Sequence, residues 1–172
     1  MNVMIDIETL CTRPSAVVLT VGLVEFDNTR IHNKFYYRLC VDEQLNRNRT
    51  VDEGTMQWWS EQNSAVQEEA LGELDRTPVD TVLDTVTRLT YNADSIWGQG
   101  YGFDMTILEN LFQQYGRNIP WNFWKLRDSR TIFDVCKVRL PKTENKHNAL
   151  DDAVQQTELL QGCLKTIGYV TP

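Results

Sequence analysis

The sequence lacks the features that would indicate a secreted protein, a zinc-binding protein or a membrane-spanning protein. Its four cysteines form no C-x-x-C pair and have no histidine nearby, which argues against a zinc site and a disulfide framework. It has no apolar run long enough to cross a bilayer, and no basic segment leading into an apolar one at the N-terminus. We therefore expect a cytoplasmic protein with no membrane partner.

Basic charge is also scarce. The chain has 17 lysines and arginines against 24 aspartates and glutamates, which gives a net charge of −7. A protein that coats nucleic acid normally presents a basic surface, because neutralising phosphates supplies most of its non-specific affinity. The acidic balance therefore disfavours a pure nucleic-acid-binding module more than it disfavours an enzyme whose carboxylates hold cations.

The length and the hydrophobic pattern predict the fold class. The chain is long enough to bury a core, and we expect a single domain over residues 1–172. Apolar and β-branched runs predict strands at residues 3–7, 16–24, 35–39 and 95–98. Helices are predicted through Trp58 and Trp59, after Thr77 as N-cap, and at about 104–115 and 149–167. This order predicts an α/β fold, a mixed β-sheet flanked by helices.

Two carboxylates lie at the end of the first predicted strand. Asp6 and Glu8 are two residues apart, so their side chains point to the same face of the strand. Carboxylates this close repel each other unless a cation lies between them, and such oxygen ligands suit Mg²⁺ or Mn²⁺. The alternative is a solvent-exposed strand face without a metal. This short pattern alone does not separate the two interpretations.

A further carboxylate, Asp104, follows a glycine-rich segment near the start of a predicted helix. On a helical wheel it lies within roughly 80° of Leu108, Leu111 and Phe112, which form the buried face. A carboxylate on the core side of a helix needs a partner or a metal, because an unpaired buried charge is costly. An aspartate at this position can equally act as a simple N-cap. The segment leaves both roles open.

The segment from His147 to Asp152 is the most informative. Asn148 is predicted to cap the last helix, and the apolar stripe of that helix fixes which way it faces. Asp152 borders this stripe, whereas Asp151 lies roughly 100° further round, toward solvent. Asp152 can therefore turn into the domain, and His147, just before the helix, can stand over the same site. Asp151 is expected to cap the helix or to meet water.

Together these segments resemble the motifs of the DEDD superfamily of 3′–5′ exonucleases, in its histidine-containing DEDDh branch. Asp6 and Glu8 match the first motif, Asp104 the second, and His147 with Asp152 the third. The closer resemblance is to RNase AS-like bacterial exoribonucleases and related phage exonucleases, in the stretches 4–9, 58–62 and 147–153. It covers nearly the whole chain. It implies a ribonuclease H-like fold in a protein of a bacterial cell or a phage-infected host.

The resemblance also implies a reaction. It is hydrolysis of phosphodiester bonds at the free 3′ end of RNA or single-stranded DNA, with release of nucleoside monophosphates. Two Mg²⁺ or Mn²⁺ ions per active site would be held by the four carboxylates, and His147 would act as general base. Asp6 would bridge both ions, Glu8 and Asp152 would complete the first, and Asp104 would support the second. Many relatives are dimers, so the resemblance also allows a homodimer.

Contacts to the terminal nucleotide are expected from the same resemblance. Thr9 and Leu10 follow the first motif, where the backbone meets the terminal sugar, and Leu10 would pack against the last base. Trp58 and Trp59 could stack on bases or belong to the core. Neighbouring helical residues point about 100° apart, so we expect one tryptophan inside and one, assigned to Trp58, at the groove. Gln99 stands where many relatives have asparagine and is a candidate nucleotide contact.

Three further charged residues have more ordinary interpretations. Arg130 and Lys146 could hold phosphates, although a solvated surface position is expected for each. Asp128 is expected to pair with a nearby arginine, such as Arg127 or Arg130, and not to bind a metal.

Two other functions fit part of the pattern. A nucleic-acid-binding domain of the same fold without catalysis would need a defect, because all four acidic positions and the histidine are present. A phosphatase could use residues 6–9 as a nucleophile motif. That chemistry calls for an aspartate as the second acid, and it leaves His147 and Asp152 without a role.

Overall fold

A five-stranded mixed sheet forms the centre of the molecule. The structure is a computed structural model, and it describes residues 1–141 and 147–169. The strands are β1 (Asn2–Thr9), β2 (Val18–Phe26), β3 (Ile31–Arg38), β4 (Ser95–Gly98) and β5 (Leu126–Asp128). Their order in the sheet is β3-β2-β1-β4-β5. β1 pairs antiparallel with β2 and parallel with β4. The predicted mixed sheet is confirmed, and β5 is a strand that the sequence pattern did not predict.

The described residues form seven α-helices around this sheet. They are α1 (Val41–Leu45), α2 (Glu53–Ser60), α3 (Ser64–Leu71), α4 (Val79–Thr90), α5 (Tyr101–Gln114), α6 (Ser129–Cys136) and α7 (Ala149–Thr166). Four of them, α2, α4, α5 and α7, were predicted. In residues 1–141 and 147–169, no helix combines the length and the apolar character that crossing a membrane requires.

Two helix starts differ from the prediction. Pro78, not Thr77, occupies the N-cap position of α4. Proline has no side-chain acceptor, and the N–H of Val79 is instead bonded to Oε2 of Glu43 at 3.0 Å. α5 begins at Tyr101, three residues before Asp104, because Gly100 adopts a positive φ of 88° and serves as the N-cap.

The alternation of side chains along β1 separates the two sides of the core. Val3, Ile5 and Ile7 face the cluster that contains the buried stripe of α4 and much of α5, whereas Met4 faces the cluster that contains α7. Asp6 and Glu8 are in phase with Met4, so the strand itself turns both carboxylates toward the side that α7 covers.

A glycine on β2 lets α7 approach the sheet beside Asp6. Gly22 is the cross-strand partner of Asp6. A Cβ atom at Gly22 would lie 2.2 Å from the backbone oxygen of Ala149, the first residue of α7. Only glycine leaves room for this contact, so Gly22 sets how closely the N-terminal end of α7 meets the first strand.

Candidate active site

Side chains from three distant parts of the chain meet in one cleft of about 350 Å³. The cleft lies where β1, α5 and α7 come together. Its walls contain every acidic residue selected from the motifs, together with the histidine and the glutamine: Asp6, Glu8, Gln99, Asp104, His147 and Asp152. The residues chosen from the sequence motifs therefore lie close together in the folded chain.

The two carboxylates of β1 are half-buried and lie against other acids. Burial raises the pKa of Asp6 well above its usual value, and the charges of Asp104, Glu8 and Asp152 raise it further. Burial also raises the pKa of Glu8 to about 8, with added repulsion from Asp152 and Asp104. Each acid makes ionisation of its neighbours less favourable, so the fully ionised cluster needs a compensating positive charge.

Asp104 is held inside the first turn of α5 and is not its N-cap. Its side chain is only 4% exposed, and its Oδ1 accepts a hydrogen bond from the backbone N–H of Ile7 at 3.3 Å. Burial raises the pKa of Asp104 to about 7, against the lowering effect of that hydrogen bond. The capping role that the sequence left open is excluded, because Gly100 occupies the cap position.

The start of α7 separates its two neighbouring aspartates. The side chain of Asn148 accepts hydrogen bonds from the N–H groups of Leu150 and Asp151 at 3.0 and 3.1 Å, which confirms the predicted cap. Asp152 turns into the cleft, and its Oδ2 accepts from the backbone N–H of His147 at 3.0 Å. Asp151 is exposed, as expected.

His147 stands at the mouth of the acidic cluster. Its backbone has a positive φ of 73°, an uncommon conformation for a residue with a side chain, and functional sites often contain such residues. Its Nδ1 lies 3.9 Å from Oε1 of Glu8, and its ring packs edge to face against Trp58. The imidazole is therefore held between the carboxylates and an aromatic wall, and 34% of its side chain remains exposed.

The donor set fits divalent cations. One ligand atom from each of Glu8, His147 and Asp152 can be chosen so that all three lie within 4.8 Å of one another. Asp6 and Asp104 add buried carboxylates to the same cleft. Carboxylate oxygens are ligands that Mg²⁺ and Mn²⁺ prefer, and a cation would relieve the repulsion that raises the pKa values of these acids.

A second groove of about 390 Å³ adjoins the cleft and shares Glu8 with it. Thr9, Trp58 and Phe103 line this groove. Trp58 is 38% exposed, whereas Trp59 is only 1% exposed and donates from Nε1 to the backbone oxygen of Thr9 at 2.9 Å. One tryptophan faces the groove and the other lies in the core, as the helical geometry predicted.

Leu10 occupies a different place from Thr9. Its side chain is 6% exposed and packs in a core cluster with Val17, Leu19 and Trp59. A contact between this side chain and a base would therefore require a local rearrangement. Thr9 lines the groove although its side chain is largely buried, and its hydroxyl donates to the backbone oxygen of Cys11.

The basic side of the cleft is formed by Arg130. Its guanidinium donates to the backbone oxygen of Gln99 at 3.2 Å, and both residues line the cleft. The expected pairing of Asp128 with an arginine side chain is wrong. Asp128 caps α6 instead, because its Oδ1 accepts from the backbone N–H groups of Arg130 and Gly100 at 2.8 and 3.2 Å. Lys146 lies outside the described residues.

Phe103 and Gln156 are among the cleft residues that were not selected from the sequence. Phe103, which is 36% exposed, lines both the cleft and the adjoining groove. Gln156 lines the cleft and donates a hydrogen bond to Asp6. A signal for Gln156 was available, because it follows Asp152 by four residues on one helix and so shares its face.

Several solved structures that share this fold are nucleases. The nuclease domain of 3′hExo, a DEDDh family member bound to rAMP, has a TM-score of 0.63 and 14% identity, over 98% of this chain and 94% of that one. Exonuclease X in complex with 5′ overhanging duplex DNA has a TM-score of 0.58 and 16% identity, over 99% of this chain and 95% of that one. Cell-death related nuclease 4 has a TM-score of 0.53 and 12% identity, over 98% of this chain and 65% of that one.

These likenesses show that the chain shares the fold of these nucleases, one of them a DEDDh family member, and the fold forms an acidic cleft with a histidine at its mouth. The family model of the 3′-5′ exoribonuclease Rv2179c-like domain matches residues 1–164, and the chain belongs to this family. No curated protein matches the sequence.

Proposed function

We propose that the protein removes nucleotides one at a time from the free 3′ end of RNA or single-stranded DNA and releases nucleoside monophosphates. The observation that carries this proposal is the meeting of four carboxylates and one histidine in a single cleft that adjoins a groove with exposed aromatic rings. The description of the family as exoribonucleases supports RNA as the preferred polymer.

The four carboxylates are proposed to hold two Mg²⁺ or Mn²⁺ ions. Such a pair, when bound, activates water and stabilises the charge that develops on the phosphate and on the leaving oxygen. Asp6 would be the shared ligand, Glu8 and Asp152 would complete one site, and Asp104 would support the other. The raised pKa values of Asp6 and Glu8 support this assignment, because burial and the neighbouring acids make the ionised carboxylates unfavourable until protons or cations neutralise them.

His147 is proposed as the general base. A neutral imidazole accepts a proton near neutral pH, and the partly exposed ring stands beside the carboxylates, where an attacking water would have to be oriented. The backbone hydrogen bond to Asp152 and the contact with Trp58 limit the positions that the ring can take. Proximity to Glu8 and Asp152 also permits a ligand role, which turnover and Mn²⁺ binding of a His147→Ala variant would test.

The terminal nucleotide is proposed to occupy the adjoining groove. Trp58 and Phe103 offer exposed aromatic surface on which a base can stack. Thr9 and Leu10 follow the carboxylates of β1 in the chain, and Gln99 lies in the cleft beside Arg130. We assign the sugar contact to Thr9 and Leu10 and a further nucleotide contact to Gln99. Only Leu10 would have to move to reach a base.

The direct test is cleavage of matched single strands. RNA and DNA of one sequence, labelled at the 5′ end, are incubated with Mg²⁺, with Mn²⁺ or with EDTA. We expect a ladder that shortens from the 3′ end by single nucleotides, nucleoside monophosphates as products, and no cleavage in EDTA. Binding of the strand without cleavage would indicate a non-catalytic domain. Hydrolysis of p-nitrophenyl phosphate without shortening of the strand would indicate a phosphatase.

The setting of the enzyme is also a proposal. We propose that it acts in the cytoplasm of a bacterial or phage-infected cell, in agreement with four free cysteines. We further propose a homodimer, which sedimentation equilibrium tests directly. A mass that stays at one chain of 20.0 kDa across the concentration range would contradict the dimer.

A further inference from the structure

Gln156 makes a contact that the proposed mechanism does not use. Its Nε2 donates a hydrogen bond to Oδ1 of Asp6 at 2.8 Å. The glutamine side chain is only 4% exposed, whereas Asp6 is half-buried and borders the open cleft. Gln156 follows Asp152 by one helical turn, and both side chains line the catalytic cleft. α7 therefore supplies a ligand candidate and, one turn later, a support for the central carboxylate of β1.

The other end of the same amide has no hydrogen-bond partner. Within the described part of the chain, Oε1 of Gln156 is buried and accepts no hydrogen bond. A buried carbonyl without a partner costs free energy, and such groups in native proteins call for a functional explanation. Turning the amide over would point Oε1 at the carboxylate and remove the donor from Asp6. The observed orientation thus satisfies Asp6 and leaves the glutamine's own acceptor unsatisfied.

We propose that Gln156 is a positioning residue that fixes the carboxylate of Asp6 for cation binding. The proposal rests on the metal-dependent function proposed above. The amide bonds to Oδ1 and so restricts rotation of the carboxylate, which fixes the directions in which its remaining lone pairs can meet cations. Asp6 is the ligand proposed to be shared by two ions, so its orientation affects both sites at once.

The expected effect is on metal affinity more than on folding. Partners that orient metal ligands typically change affinity or activity by about 10–100-fold when they are removed. Replacing Gln156 with methionine keeps the length of the side chain, removes the donor to Asp6 and removes the unsatisfied oxygen. The loss of one hydrogen bond and the loss of one unsatisfied acceptor act in opposite directions on stability. Asp6, however, loses the only hydrogen bond that it accepts from α7 within the described residues.

The test compares Gln156→Met with a matched substitution on the same helix. Gln161 also donates from its side-chain amide, to the backbone oxygen of Asp27 at 2.7 Å, and it is not among the residues that line the cleft. Mn²⁺ binding is measured by titration calorimetry without nucleic acid, and thermal unfolding is measured in EDTA. We expect Gln156→Met to weaken Mn²⁺ binding about tenfold or more, with little change in the unfolding temperature. Gln161→Met should bind Mn²⁺ as the wild type does.

Wild-type Mn²⁺ affinity in a folded Gln156→Met protein would overturn the proposal. If that variant does not fold, Gln156→Asn decides, because it keeps the amide but is too short to reach Asp6. It should show the same weakening, and unchanged affinity would overturn the proposal. If the wild type itself neither binds Mn²⁺ nor cleaves a strand, the proposed function fails. If the wild type does both and the Gln156 variants match it, only the role of Gln156 fails.

Discussion

The ring of Trp58 meets the ring of His147 edge to face, with the ring centroids 4.6 Å apart and the planes at 85°. Trp59 lies behind this pair, 6.4 Å from the imidazole and 5.0 Å from Trp58. The two neighbouring tryptophans of α2 thus form an aromatic wall for the histidine. The sequence predicted that Trp58 would contact a base, and the structure adds a contact with the proposed general base.

Trp58→Ala should lower kcat, because the imidazole loses the wall that limits its positions. Aromatic pairs contribute about 0.5–1.5 kcal/mol, so the expected loss is up to about tenfold. Trp58→Phe keeps an aromatic edge, so its kcat should lie between those of the wild type and Trp58→Ala. Steady-state initial rates over a range of strand concentrations separate kcat from KM. A higher KM with unchanged kcat would mean that Trp58 contacts only the substrate.

Asp152→Asn should abolish cleavage, whereas its neighbour Asp151→Asn should keep most of it. Asp152 lines the cleft, and Asp151 is exposed at the start of the same helix. Removing a metal ligand costs several kcal/mol of transition-state stabilisation, so we expect a loss of about a thousandfold or more. Initial rates with a labelled strand provide the measurement, and circular dichroism checks the fold. Equal losses in both variants would show that the wrong aspartate was chosen.

His147→Ala should reduce turnover by about 10²–10⁴-fold while leaving Mn²⁺ affinity close to that of the wild type. A base contributes to proton transfer and not to holding the cation. Turnover and calorimetric binding of Mn²⁺ are measured on the same preparation. A parallel loss of both would reassign His147 as a ligand beside Glu8 and Asp152, which its position also permits.

The metal-free protein should lose stability as the pH rises from about 5 to about 8. The pKa of Glu8 is raised from 4.5 to about 8 and that of Asp104 from 3.8 to about 7. Across this window the folded protein holds protons that the unfolded chain has released, so the free energy of unfolding falls with rising pH. Unfolding temperatures in EDTA should follow this trend, and added Mn²⁺ should raise them more at pH 8 than at pH 5.

Glu8→Gln is the matched variant for this effect. It removes one buried acid of nearly the same size, so it should unfold at a higher temperature than the wild type at pH 8 in EDTA, with a flatter pH dependence. It should also lose activity, because a proposed ligand is missing. A Glu8→Gln protein that is less stable than the wild type at pH 8 would argue against repulsion in the cleft.

Gly22→Ala should destabilise the fold and reduce cleavage together. The new Cβ would lie 2.2 Å from the backbone oxygen of Ala149, so the start of α7 must move away from β2. Overpacking of this kind costs about 1–3 kcal/mol. Gly162→Ala, inside α7 with nothing within 4 Å of the new atom, should instead stabilise by about 0.5–1 kcal/mol. Urea unfolding and strand cleavage test both, and an active, stable Gly22→Ala protein would contradict this account.

The features that local geometry determines could be predicted from the sequence. The period of a strand places Asp6 and Glu8 on one face, and the period of a helix separates Asp152 from Asp151. Both placements hold in the structure, because each depends only on the chain near the residue. The convergence of these residues in one cleft followed from the motif resemblance and not from any single segment.

The features that depend on tertiary contacts could not be predicted. β5 has only three residues, all half-buried, and is recognised through its pairing with β4. Asp128 was expected to pair with an arginine side chain, but the backbone N–H groups of its own helix start and of Gly100 are closer. The bond from Gln156 to Asp6 spans 150 positions of sequence and exists only after α7 has packed on β1.

The order of the cleft residues along the chain determines when the cleft is completed during synthesis. β1 and α5 bring Asp6, Glu8 and Asp104, but α7 and the residue before its cap bring Asp152 and His147. A nascent chain on the ribosome that has not reached residue 147 therefore lacks the histidine of the cleft and one of its four acids. Such a partly made polypeptide lacks two of the five residues proposed to carry the reaction, so we expect activity to appear only after the last helix has folded.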